Sequence, residues 1–135
     1  MRRATVIVVA ALSLLTTVVA LGAVGVGAAV PTRNVSISAT ACPGGHIYCY
    51  KAAVITVKRG TKVVWKNVSG VPHTVTRCTK TACHVTGGTG TDTKFASPAI
   101  GAGRTYAFTF KHVGTYRYYC KFHGYGVMHG TVTVK

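Results

Sequence analysis

Between Thr61 and Asn67 apolar and polar side chains alternate, with Val63 and Trp65 on one face and Lys62, Val64 and Lys66 on the other. A period of two predicts a strand with one buried face. Val54, Ile55 and Val57 precede it across Lys58-Arg59-Gly60, a turn signal, so the pair reads as a β-hairpin. Tyr106, Phe108 and Phe110 share one parity, opposite Thr105, Ala107 and Thr109. Beyond Gly114, Tyr116, Tyr118 and Cys120 share a face, and near the end Val132 and Val134 do the same. The stretch from Cys78 to Pro98 is rich in Thr and Gly and reads as a long loop. No helical period of useful length follows residue 31. Short strands punctuated in this way predict an all-β sandwich or barrel, with two small sheets packed face to face.

The first thirty residues break the pattern. Met1-Arg2-Arg3 is followed by Ala4 to Val30 without a charged side chain, and Gly27-Ala28-Ala29 places small residues before Pro31. A basic start, an apolar core and small residues describe a secretory signal; retained, the same run is long enough for an N-terminal membrane anchor, since about 20 apolar residues span a bilayer. Dense Val and Thr, Gly22, Gly25 and Gly27, and the lack of a polar face argue against a core helix. Two segments are therefore expected: residues 1–30 as signal or anchor, and residues 31–135 as one exported domain, whether extracellular, periplasmic or at the cell surface.

Export means an oxidising compartment, where disulfides persist. Cys42 and Cys49 flank Pro43-Gly44-Gly45, and Cys78 and Cys83 flank four residues. Two local pairs are the economical choice among the three connectivities that four cysteines allow. Cys120 is left over, either as a buried inert thiol or as a reagent.

Composition narrows the chemistry. In a chain of 135 residues that is 48% hydrophobic, disorder is excluded. Asp92 is the only acidic residue, so paired-carboxylate catalysis and a carboxylate-rich calcium or magnesium site are excluded as well. The formal charge of +15 is spread along the chain without a nucleic-acid-binding signature. For an exported chain the expected partners are a redox protein with an acidic docking surface or an anionic envelope surface, with no nucleic acid and contact weakened by salt. Membrane attachment is expected only through an uncleaved N-terminal segment, and a monomer is the default.

The strongest signal runs from Tyr118 to Gly130, where Cys120, His123 and Met128 place a thiol, an imidazole and a thioether at Cys-x2-His-x4-Met spacing. Cys120 closes one predicted strand, Met128 opens the next, and the Gly-containing loop between them can fold the three side chains together. Val71-Pro72-His73-Thr74-Val75, after the Trp65 strand, supplies a fourth group. Two imidazoles and a thiolate in a plane, with a weak axial thioether, are what copper uses for electron transfer. Thiolate and thioether favour Cu(I), imidazole suits Cu(II), and a rigid β framework limits reorganisation. Backbone N–H groups near Thr74 are expected to bond the Cys120 sulfur. His46, His84, His112 and His129 read as structural; His129 adjoins Met128 but should point to the other face of its strand.

At these residues the sequence resembles the cupredoxins, and within them the plastocyanin-like small blue copper proteins. The matching residues are Val71-Pro72-His73, Tyr119-Cys120, His123, Met128 and Gly130-Thr131-Val132-Thr133-Val134. Val63-x-Trp65-x-Asn67, Phe95-x-Ser97-Pro98 and Gly114-Thr115-Tyr116 extend the likeness over roughly residues 33–135. The resemblance implies a Greek-key β-sandwich of about eight strands with one type 1 copper at one end. It implies His73, Cys120 and His123 as equatorial ligands and Met128 as the axial one. It also implies a docking rim, here Val71, Pro72, Phe122, Tyr125 and Val127, with the outer edge of His123 as the electron exit. Phe122, Val127 and Thr74 depart from the usual Pro, Gly and Asn, and the Cys78–Cys83 loop is an addition to a minimal plastocyanin. Four protein ligands leave no open position for a substrate, so an electron carrier rather than an enzyme is expected. The same ligands would also serve a copper-sequestering or copper-delivery protein of the envelope.

Overall fold

A computed structural model describes residues 27–135. The expected signal or anchor at 1–30 lies outside the described residues as far as position 26. Among the described residues no helix is long and apolar enough to cross a membrane.

The strands are β1 (Thr32–Ser38), β2 (Cys49–Lys51), β3 (Val54–Val57), β4 (Lys62–Asn67), β5 (Thr76–Arg77), β6 (Thr105–Thr109), β7 (Gly114–Tyr119) and β8 (His129–Val134). They form two four-stranded sheets in the orders β2-β1-β4-β6 and β3-β8-β7-β5, a β-sandwich of the kind that the alternation and the resemblance predict. Val63 and Trp65 on β4, Tyr116 and Tyr118 on β7, and Val132 on β8 are fully buried where these strands face the interior. Trp65 lies at the centre. Its ring meets Tyr118 edge-on at 5.6 Å and Phe95 at 5.5 Å. An aromatic side chain removed from water in this way contributes about 4–6 kcal/mol of transfer free energy.

The structure corrects the predicted hairpin. β3 pairs in parallel with β8, whereas β4 lies between β1 and β6 in the other sheet. The Lys58–Gly60 turn therefore carries the chain from one sheet to the other. It is held by the Arg59 N–H on Lys135 O at 2.9 Å and the Gly60 N–H on Phe110 O at 2.7 Å. Each strand buries one face, Ile55 and Val57 on β3 and Val63 and Trp65 on β4, and that pattern is the same whether two strands share a sheet or face each other.

The long loop is better ordered than its composition predicts. It includes one turn of helix, α1 (Lys80–Cys83), capped by the Thr79 hydroxyl, which accepts the Ala82 N–H at 3.2 Å. Disulfides join Cys42 to Cys49 and Cys78 to Cys83, the two local pairs. β4, β7 and β8, six residues each, run the length of the sandwich. At one end of the molecule β4 leads into His73, β7 into Cys120, and Met128 leads into β8.

Candidate metal centre

Cys120 follows β7 directly, and Met128 precedes β8. The two are tied by the Cys120 N–H on Met128 O at 3.0 Å. The loop between them folds as tight turns, with the Gly124 and Met128 N–H groups bonding Cys120 O at 2.9 Å and Gly124 O at 3.0 Å. Gly124 has a φ of 76°, a left-handed conformation that glycine adopts without strain. His123 is thereby turned back toward the sulfur. His73 is anchored from the other side by two backbone bonds with Ile100, 3.1 Å and 2.7 Å.

The ligand-capable atoms of His73, Cys120 and His123 all lie within 4.8 Å of one another. The Cys120 Sγ is 3.8 Å from His73 Nδ1 and 3.4 Å from His123 Nδ1. Cys120 is a free, fully buried cysteine, and Met128 is also fully buried. The structure thus brings together the three predicted equatorial residues, and the backbone bond from Cys120 holds the buried Met128 at the start of the neighbouring strand. A buried thiol beside two imidazole Nδ1 atoms suits copper better than a hard cation, which prefers oxygen.

The surroundings set the state of each group. Burial, and secondarily the nearby His123, pulls His73 down to about 4, and burial also lowers His123. Both rings are therefore neutral at ordinary pH, with a lone pair free to bind. The Ser69 Oγ lies 2.8 Å from His73 Nε2. Assigning the ring proton to Nε2 leaves Nδ1, on the sulfur side, as the donor atom. Ser69 in turn donates to Asn67 Oδ1 at 2.7 Å, and the Asn67 amide donates to Val71 O and Ile100 O, each at 2.8 Å. Thr74 joins the segments that carry His73 and Cys120. Its N–H points at the Cys120 sulfur at 3.4 Å, and its hydroxyl accepts the Lys121 N–H at 2.9 Å.

Tyr48, beside the Cys42–Cys49 disulfide, packs on both rings, at 5.0 Å from His73 and 4.6 Å from His123. Sequence reading missed Tyr48 and Ser69, and gave Asn67 only as a matching residue without a role. Tyr, Ser and Asn are common in loops and strands, and only the position of Ser69 four residues before His73 hinted at a role. Of the expected rim, Val71, Pro72 and Phe122 line one shallow apolar depression with Tyr48 and His123. Phe122 is 58% exposed there. Tyr125 instead stacks on His129 at 4.5 Å, and Val127 lines a separate depression with Met128, His129 and His46. His129 is exposed while Met128 is buried, as their opposite faces predict. His112 is occupied by Asp92, at 2.9 Å from Nδ1 to Oδ1.

Comparison with known proteins agrees with this geometry. The family model described as copper binding proteins, plastocyanin/azurin family, matches residues 37–135. Plastocyanin A/B of Petroselinum crispum is 34% identical over 93 residues, 67% of this chain and 90% of the relative. The plastocyanin of Scenedesmus fuscus is 30% identical over 87 residues, 64% of this chain and 86% of the relative. Among solved structures, a purple cupredoxin from Nitrosopumilus maritimus superposes with a TM-score of 0.58 at 26% identity, covering 76% of this chain and 98% of its own. The oxidized form of a mutant amicyanin superposes with a TM-score of 0.55 at 27% identity, covering 76% and 80%.

Proposed function

The chain belongs to the plastocyanin/azurin family of copper-binding proteins, and from that premise we propose that it carries single electrons between redox partners on one type 1 copper ion. His73, Cys120 and His123 would hold the ion, with Met128 as the weak axial neighbour. The observation that carries this reading is the meeting of two imidazoles around a free, buried thiol, all within 4.8 Å. Copper in this donor set supplies one-electron exchange between Cu(II) and Cu(I).

The protein's own residues prepare that exchange. The Thr74 N–H stabilises negative charge on the Cys120 sulfur, and the Ser69 to Asn67 chain keeps His73 in one tautomer and one orientation. Burial of Cys120 and Met128 keeps water from the ligands. His123 reaches the apolar depression around Phe122, so it forms the electron exit toward a docked partner. Exposed Lys121 beside that depression favours a partner with acidic groups around its own contact surface. The two disulfides support an exported, oxidising location.

The test is to add Cu(II) to the purified protein and record visible and paramagnetic-resonance spectra. An intense thiolate-to-copper band with narrow hyperfine splitting is expected. Cys120→Ala abolishes both, and Met128→Leu keeps the colour but changes the potential. A band that survives Cys120→Ala would sink the assignment. Rapid electron self-exchange with slow copper loss separates a carrier from a copper-delivery protein, which would release the ion readily to an acceptor.

A further inference from the structure

The pole away from the metal centre gathers basic side chains from distant parts of the sequence. β4, β7 and β8 each have one end at the ligands and the other at this pole, and six strand residues span about 20 Å. Lys58 and Arg59 lie in the turn before β4, and Lys62 begins that strand. The turn is bonded to the β8 end through the Arg59 N–H on Lys135 O, and to the segment after β6 through the Gly60 N–H on Phe110 O. Lys111 follows directly, and Lys94 lies across a depression from it. All six side chains are exposed. Asp92, the only acidic side chain in the sequence, also sits here, but it is buried and bonded to the His112 ring, the Tyr116 hydroxyl and the Lys111 N–H. No exposed acidic side chain offsets the charge.

The chain also enters the domain at this pole. Pro31 O accepts the Lys62 N–H at 2.8 Å, so the apolar run without charged residues from Ala4 to Val30 joins the domain beside the lysines. Two apolar side chains, Val30 at 54% and Val113 at 59%, are exposed there. A cationic face with exposed apolar side chains, next to the attachment point of an apolar segment, fits a charged lipid surface better than a soluble polyanion.

We propose that this basic pole docks onto the anionic phospholipid headgroups of a membrane and holds the metal end outward, facing soluble partners. The contact applies whether or not the N-terminal segment is retained, because the cations belong to the folded domain.

The full-length holoprotein should be bound to vesicles containing phosphatidylglycerol, and separately mixed with vesicles of phosphatidylcholine alone, then treated with an amine-acylating reagent and read by mass spectrometry. On the anionic vesicles, labelling of Lys58, Lys62, Lys111 and Lys135 is expected to fall about threefold or more, and to recover near 1 M salt. Labelling of Lys66 and Lys121, at the metal end, should be the same on both. Lys58→Gln combined with Arg59→Gln should keep the copper spectrum and lose most of the protection at Lys111 and Lys135. Equal labelling on both vesicles, protection centred on Lys121, or unchanged protection in the double variant would overturn the proposal. So would the same protection from inorganic phosphate without vesicles, which would mean a small-anion site, or from soluble polyglutamate, which would mean an acidic protein partner.

Discussion

Asp92 and Cys120 are each the only residue of their kind, the one acidic side chain and the one unpaired cysteine, and both are buried. Cys120 could be read from sequence because an odd thiol followed by His123 and Met128 at that spacing fits little besides a soft-metal site. Asp92 could not, because a lone acid in a Thr-rich loop looks like a solvated turn residue. In the fold, burial pushes its carboxyl up, but the bonds from Tyr116, His112 and Lys111 outweigh burial and hold it below the ordinary carboxylate value. A group depressed in this way stabilises the fold above its unfolded pKa, and that contribution disappears as pH falls through its folded value. Thermal midpoints should fall in acid in two stages: first as the buried, neutral His73, held at about 4, and His123 are forced to take up protons, and at lower pH through Asp92, the only acidic side chain in the sequence. Asp92→Asn should cost about 2 kcal/mol at neutral pH and flatten the lower stage. A variant that keeps the lower stage in full would place the titration elsewhere.

At the scale of elements, alternation located β4, β6, β7 and β8, because each shows one buried face in its residue order. β1 was not legible. Its seven residues, Thr32–Ser38, carry only two large apolar side chains, Val35 and Ile37, after an exposed polar start. β2 has three residues, too few for any period. The β3–β4 hairpin failed because a Lys-Arg-Gly turn serves equally well to reverse a strand and to cross between sheets, and the choice is made by β1 and β8, distant in sequence. The loop from Cys78 to Pro98 depends on close backbone approach. Gly90 packs directly on the buried Tyr116 ring, so a Cβ at that position would occupy the ring's space. Arg77 donates to Gly88 O, Gly90 O and Asp92 O from the other side. Gly90→Ala should therefore destabilise the protein by about 2–3 kcal/mol in denaturant melts, whereas Gly126→Ala, where a Cβ meets nothing within 4 Å, should not. Equal stability for the two variants would mean that the loop is free to move away from Tyr116.

As a whole the molecule has two unlike ends. Strands that present the His73, Cys120 and His123 cluster at one end present cations at the other, so the β framework would separate the proposed electron exchange from the proposed membrane contact. The cluster of His73, Cys120 and His123 was legible in advance, since Cys120 and His123 are close in sequence and His73 follows a recognisable strand. Of the supports, the Thr74 N–H on the Cys120 sulfur was legible too, whereas Ser69 and Tyr48 were not, because they act through positions that only the folded chain defines. The account stands or falls on where copper binds. Diffraction from copper-loaded crystals, measured on both sides of the copper absorption edge, should place one ion against His73 Nδ1, Cys120 Sγ and His123 Nδ1, with Met128 alongside. A single ion found elsewhere, or one bound without the Cys120 sulfur, would contradict it.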